Sequence, residues 1–281
     1  MSIMKKLKEY LNRPLSFFMF LLIIISTVIT ALTVVFIIGY IFIKGVPNLS
    51  LDLFSLKYSS SNQSMLPSII NTVYLTALTL LLAVPIGIFS AIYLAEYSRK
   101  NSFFVKIINI ANETLSGIPS IVYGLFGFLA FVISKKWGYS LLAGVITLAI
   151  MVLPLIIRTS QEAMLGVDNT FREASYGLGA GKLRTVFKIV LPSAMPGILS
   201  GIILAIGRIV GETAALIYTA GTVPEAATKL TSSSRTISVH LYCLLNEGLY
   251  TEQAYATAVV LIVFVVIINA LSNALAKKIM K

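Results

Sequence analysis

The chain has 281 residues, of which 57% are hydrophobic and only 12% charged, and its mean hydropathy is +0.91. That excludes a soluble domain: the apolar runs are continuous, and lipid requires each spanning segment to satisfy its own backbone, so they are read as membrane helices. One cysteine, Cys243, excludes an intrachain disulfide. One histidine, His240, is too little for the usual nitrogen-and-sulfur metal sites, and the net charge of +11 belongs to membrane-flanking lysines and arginines rather than to a nucleic-acid surface.

Lys5, Lys6, Lys8 and Arg13 precede an apolar run from Leu15 to Ile43. The run is too long for a signal-peptide core and no small-residue cleavage site follows it, so it is expected to remain as a first membrane helix. A serine-rich loop, 44–68, follows. A second span is predicted from Ile69 to Ala95 with Pro85 and Gly87 inside it, then Arg99, Lys100 and Lys106. The third, Glu113 to Ile133, carries Gly117-Ile118-Pro119-Ser120 and then Gly124 and Gly127, a spacing that suits close helix packing or the wall of a pathway. Leu141 to Ile157 makes a fourth span. After a polar segment, 158–192, come a fifth from Ala194 to Gly221, a polar loop from Thr222 to Thr251, and a sixth from Glu252 to Ala276. Six spans put both termini on one side. With that side cytoplasmic, 15 of the 22 basic residues lie inside and six outside, as the positive-inside rule requires, with Lys135 and Lys136 running against it.

The polar segment is too long for a simple hairpin. Asn169 or Thr170 is predicted to cap a helix containing Glu173, Ala174 and Ser175, broken at Gly177 and Gly179; a second helix, Lys182 to Val190, is expected to stop at Pro192. Physics alone leaves this projecting knob equally as a docking element or as an unpartnered surface hairpin.

Glu173-Ala174-Ser175, Gly179 and Ile189-Val190-Leu191-Pro192 resemble the EAA loop of the membrane subunits of bacterial ABC importers, with Ser175 in place of the second alanine. Ile118-Pro119-Ser120 through Gly127, Gly207-Arg208 with Gly211-Glu212-Thr213, and Ser238 to Ala258 are similar to the phosphate importer permeases of the PstA type. The sister PstC type shares the Gly-Arg and Gly-Glu-Thr element, and the 238–258 region tips the resemblance to PstA. The resemblance implies an all-α polytopic fold with six transmembrane helices. It implies a type I (MetI-like) permease core over residues 69–281, preceded by an N-terminal tail, helix and external loop, 1–68. It further implies an ATPase-coupling helix at Glu173, Ala174, Ser175 and Gly179. The implied partners are a cytoplasmic ABC ATPase dimer, a PstC-type second permease subunit and an extracytoplasmic phosphate-binding protein, and no cofactor is implied. ATP hydrolysis would belong to the partner, since no G-x-x-x-x-G-K-[ST] loop occurs here.

Charges at mid-bilayer are costly, at about 2.5–3.5 kcal/mol on insertion scales, and usually face a bundle interior or an aqueous path. Arg208 and Glu212 fall in the fifth span four residues apart, on the same helix face, where they can pair; the arginine fork also suits an oxyanion. Both are expected on the translocation path. Arg158 fits equally a second stop for the anion and a positive-inside anchor. Ile237, Leu241, Leu244 and Leu245 predict a short interfacial helix in the last polar loop, beneath a binding protein. A permease for another oxyanion shares these features, whereas an ion-coupled secondary transporter has no use for the knob.

Overall fold

The computed structural model describes residues 14–98 and 102–279. Lys5, Lys6, Lys8, Arg13, Arg99, Lys100 and Lys281, which contribute to the sidedness expectation, lie outside the described residues. The described residues are helical, without strands.

Among the described residues, five helical stretches are long and apolar enough to cross a membrane, and one bent pair is apolar enough to bring the number to six if it is counted as one span. α1 spans Pro14–Gly45 and packs along the C-terminal helix, where Gly45 lies against the backbone of Tyr255. α2 spans Leu66–Ile92 and runs on through a π-turn, Tyr93–Tyr97. The predicted straight third span is corrected: α3, Phe103–Ser116, and α4, Ser120–Gly127 with a π-turn to Ser134, meet at 101°. Pro119 has no N–H to donate and disfavours helix at Ile118, so the chain turns there.

α5, Leu141–Leu165, is the central helix and extends two turns beyond its expected end at Ile157. Its first turn is capped by Ser140 Oγ, which accepts from the Ala143 amide at 3.3 Å. α6, Asn169–Gly177, and α7, Lys182–Thr185 with a π-turn over Val186–Val190, form the projecting knob. No stop occurs at Pro192. The π-turn feeds directly into α8, Leu191–Val210, whose first turn contains Pro192.

The fifth span is also corrected. α8 ends at Val210, and a separate short helix, α9, Ala214–Thr219, begins beyond Gly211-Glu212-Thr213. α10, Ile237–Glu247, is the helix expected in the last loop; Ile237, His240 and Leu244 are fully buried in the bundle, whereas Leu245 is exposed. α11, Thr251–Ile279, closes the fold.

α2 and α8 flank α5, and the principal core joins Leu75, Leu148, Met151, Ile156, Ile209 and Leu216. Small residues set the distances. A Cβ at Gly127 would collide with Thr147 Oγ1, and one at Gly201 with Thr159, so close packing is one role of the glycines read from the sequence. At the end of the bundle remote from the knob, the Asn71 side chain donates to the Glu225 and Arg235 carbonyls at 2.9 and 3.1 Å and accepts from the Ala227 amide at 2.8 Å. It thereby pins the segment 222–236 to α2.

Candidate functional site

The knob is built on local rules. Asp168, not Asn169 or Thr170, caps α6: its Oδ1 accepts from the Thr170 amide at 2.9 Å and from the Thr170 hydroxyl. These hydrogen bonds hold the Asp168 carboxyl below its ordinary range. Gly179, with φ of +81°, makes the turn between α6 and α7 in a conformation that side-chain-bearing residues rarely adopt. Glu173 and Ala174 are exposed and Ser175 is buried, its hydroxyl 2.8 Å from that of Thr185 on α7. The serine therefore ties the two knob helices together. Beside Glu173 the knob exposes Phe171, Tyr176, Leu178 and Leu183, with Leu178 at 89%, together with the basic Lys182, Arg184 and Lys188.

Arg172, between the cap and Glu173, is held from several sides. Its Nε and Nη2 donate to Glu96 Oε1 on the α2 π-turn at 3.1 and 2.7 Å; Nη2 also reaches the Met164 carbonyl at 2.8 Å, and Nη1 the Val167 carbonyl at 2.6 Å.

The second cluster lies deep in the bundle. Gly197 packs on Ala163 and Gly201 on Thr159, so numbers fall on α5 as they rise on α8. Seven residues further along α8, Arg208 stands level with Val152, about 17 Å from one end of α5 and about 20 Å from the other at 1.5 Å per residue. Gly127 packs on Thr147, which by the same count sets Ser120, the first residue of α4, level with Pro154. The N-terminus of α4 and the C-terminus of α8 thus lie at similar depth along α5, and the Arg208 charge is near enough to Tyr123 of α4 to act on it.

The expected pairing of Arg208 with Glu212 is not found. Among the described residues, the ion pairs within 4.0 Å are Arg158–Glu162 and Arg172–Glu96. Glu212 is 8% exposed. Its Oε1 accepts from the Ala215 amide at 3.1 Å, capping α9, and its carbonyl accepts from Ser238 Oγ at 2.7 Å. The helix ends between the two charges, so the four-residue spacing no longer places them on one face. Arg158 stands apart from both, nearer the knob. It is exposed, paired with Glu162 at 2.9 Å, and lines a cleft of about 200 Å³ with Asn109, Asn112 and Gln161.

Residues 83–281 match the family described as the binding-protein-dependent transport system inner membrane component. The chain belongs to that family. The permease is 32% identical over 249 residues, 82% of this chain and 84% of the relative, to a probable ABC transporter permease protein, YqgI, of Bacillus subtilis (strain 168). It is 35% identical over 230 residues, 80% of this chain and 81% of the relative, to the phosphate transport system permease protein PstA of Pasteurella multocida (strain Pm70). Among solved structures, a bacterial ABC transporter involved in import of the acidic polysaccharide alginate superposes with a TM-score of 0.67 at 18% identity, covering 99% of this chain and 100% of that one. The fold is that of the MetI-like importer permeases, and the protein is a multi-pass inner-membrane permease subunit of PstA-like sequence.

Sequence reasoning brought together the knob residues of this permease and placed Arg208 well inside the fifth span. It missed the helix break that separates Arg208 from Glu212, for which Gly211 was the available signal. It missed the contacts of Asn71, because a polar residue in a span announces burial but not its partner, and the Arg172–Glu96 pair, whose members are 76 residues apart. Arg235, counted as an outside loop charge, is 4% exposed, with its guanidinium carbon 4.8 Å from the centre of the Tyr58 ring.

Proposed function

We propose that this permease is one of two membrane subunits of an ATP-driven importer of inorganic phosphate. Arg208 lies on the anion's path and the 173–179 loop couples to a separate ATPase dimer. The observation that carries the reading is Arg208 itself: a guanidinium at mid-depth with no carboxylate within 4.0 Å among the described residues, level with the amide end of α4. A planar fork that keeps its charge at any physiological pH suits a phosphate oxyanion. The 35% identity to a protein named as a phosphate permease supports the substrate class.

In this reading the knob and both termini are cytoplasmic, residues 69–281 form the transport domain, and a PstC-type subunit supplies the other wall of the path. An extracytoplasmic phosphate-binding protein docks at the end held by Asn71 and α10. Glu212 lies on the path by shaping the end of α8 rather than by neutralising Arg208. Arg158 is a second stop for the departing anion, in the cleft beside α3. The test is uptake of labelled phosphate by the reconstituted complex carrying Arg208→Gln. Assembly with the ATPase should persist while uptake is abolished; uptake at the normal rate would refute the role. Uptake of phosphonate or molybdate in preference to phosphate would change the substrate.

A further inference from the structure

We propose that α2 is the transmission element of this permease. Through the Arg172–Glu96 pair it joins the knob to the far-end segment that Asn71 holds. The proposal rests on the reading of the knob as the ATPase-coupling element.

The helices that flank the knob in sequence are α5 and α8. α2 is 76 residues away from Arg172, yet it grips both knob helices with consecutive residues of its π-turn. Glu96 receives Arg172 of α6, and the Tyr97 ring lies 5.0 Å from Lys182 Nζ of α7. The π-turn, with its wider i to i+5 winding, is a geometry that recurs at functional positions in helices.

The Arg172 guanidinium binds four elements at once: α2 through Glu96, the last turn of α5 through the Met164 carbonyl, the connecting turn through the Val167 carbonyl, and the first residue of α6 through Asn169 Oδ1 at 3.2 Å. Its side chain is 13% exposed and that of Glu96 6%, against 57% and 62% for Arg158 and Glu162. An exposed i,i+4 pair holds little, whereas a shielded pair in which one partner satisfies several acceptors is rigid, and its loss strands a buried charge. A lysine cannot replace this fork, because an ammonium is one donor point rather than a plane of five N–H groups.

The other end of α2 is equally fixed. Asn71 makes three hydrogen bonds to the 222–236 segment, and Thr72 Oγ1 accepts from the Ile237 amide at the start of α10 at 3.0 Å. Between Asn71 and Glu96 lie twenty-five helical steps, about 38 Å. Gly87 seats this rod against Ile156 of α5. A displacement of the knob therefore reaches the segment where the binding protein would sit without passing through the anion path.

The test uses the assembled complex with ATPase, second permease and binding protein in liposomes, reading the stimulation of ATP hydrolysis by loaded binding protein and the phosphate moved per ATP. Arg172→Lys, Glu96→Gln and Asn71→Ala should each cut the stimulation by roughly fivefold or more. Combining Arg172→Lys with Asn71→Ala should do no further harm, since both would interrupt one connection. Should Arg172→Lys fail to assemble, Glu96→Gln, which keeps an acceptor oxygen in place, takes its place in the pair. Wild-type stimulation in the singles, or losses that multiply in the double, would overturn the proposal. An unmodified complex that imports no phosphate or binds no ATPase would instead overturn the function on which it rests.

Discussion

The depth of Arg208 depends on the register of α5 against α8, and that register can be tested by moving a single methyl group across their interface. A Cβ placed on Gly197 would stand 2.6 Å from the Ala163 Cβ and 3.5 Å from its Cα. Carbon atoms settle at about 3.5–4.0 Å, so the helices would have to separate locally by about 1 Å. Neither methyl can rotate away, because each is fixed to its helix backbone. Overpacking of this kind costs about 1–3 kcal/mol, offset by up to about 1 kcal/mol of helix propensity gained when glycine becomes alanine. Gly197→Ala should therefore be destabilised by roughly 1–2 kcal/mol, a fall of several degrees in the melting midpoint of the purified complex. Ala163→Gly, which opens the matching space, should lose about 1 kcal/mol through propensity alone. Gly197→Ala combined with Ala163→Gly restores both the volume and the propensity sum, and should melt near the unmodified protein, with a coupling of about 2–3 kcal/mol in the double-mutant cycle. Additive losses in the double variant, or a Gly197→Ala protein as stable as the original, would show that α5 and α8 do not pack in this register. The mid-depth placement of Arg208 would fall with it.

Four further outcomes are expected. Ser175→Ala removes the hydroxyl facing Thr185, but Thr185 Oγ1 keeps the Gly181 carbonyl at 3.2 Å, so the loss should be about 0.5–1.5 kcal/mol in thermal unfolding. Glu212→Gln retains an acceptor for the Ala215 amide and should melt near the original, whereas Glu212→Ala should lose about 1 kcal/mol; a large loss for the glutamine variant would point to a charge role instead. Burial, then the nearby Arg235 cation, pushes the His240 ring down to about 3. Between pH 6.5 and 3 the unfolded chain binds a proton that the folded one refuses, so stability should fall by up to about 1.4 kcal/mol per unit as the pH drops, a slope reduced in His240→Leu melts. The lowered carboxyl of Asp168 acts in the same direction at more acid pH: its cap on α6 is complete above the ordinary aspartate range and is lost as the pH falls through its lowered value. Amide exchange at Thr170 should accelerate only in acid, and in Asp168→Ala at every pH.

Hydropathy located each crossing because the apolar runs are long and separated by clear polar stretches. The knob was legible for a different reason: Asp168, Gly179 and the two helical turns obey local capping and turn chemistry, even though the neighbouring Asn169 and Thr170 offered the same side-chain oxygen one and two positions on. Composition was silent about winding. Pro192 reads as a helix stop, yet a π-turn before it lets the chain continue; Pro119 is no more conspicuous and does break its helix. The backbone before each differs: Leu191 stays helical ahead of Pro192, whereas the helix ahead of Pro119 has already ended at Ser116, and a periodicity count does not contain that difference. Glu212 illustrates the same point energetically. Four residues from Arg208 it looks like a partner, but the free amide of Ala215 and the hydroxyl of Ser238 hold it elsewhere.

The opposed helix ends at mid-depth also bear on release. α8 presents its last carbonyls and α4 its first amides at nearly the same level, and such termini carry about half an elementary charge each, of opposite sign. To a first approximation they cancel. In the proposed cycle, an anion arriving there would meet a well at most one elementary charge deep, that of Arg208, lessened by whatever charge Glu212 carries nearby. A well that shallow can be left as well as entered, which conduction through any ion pathway demands; a second fixed cation at this level would turn a waystation into a trap.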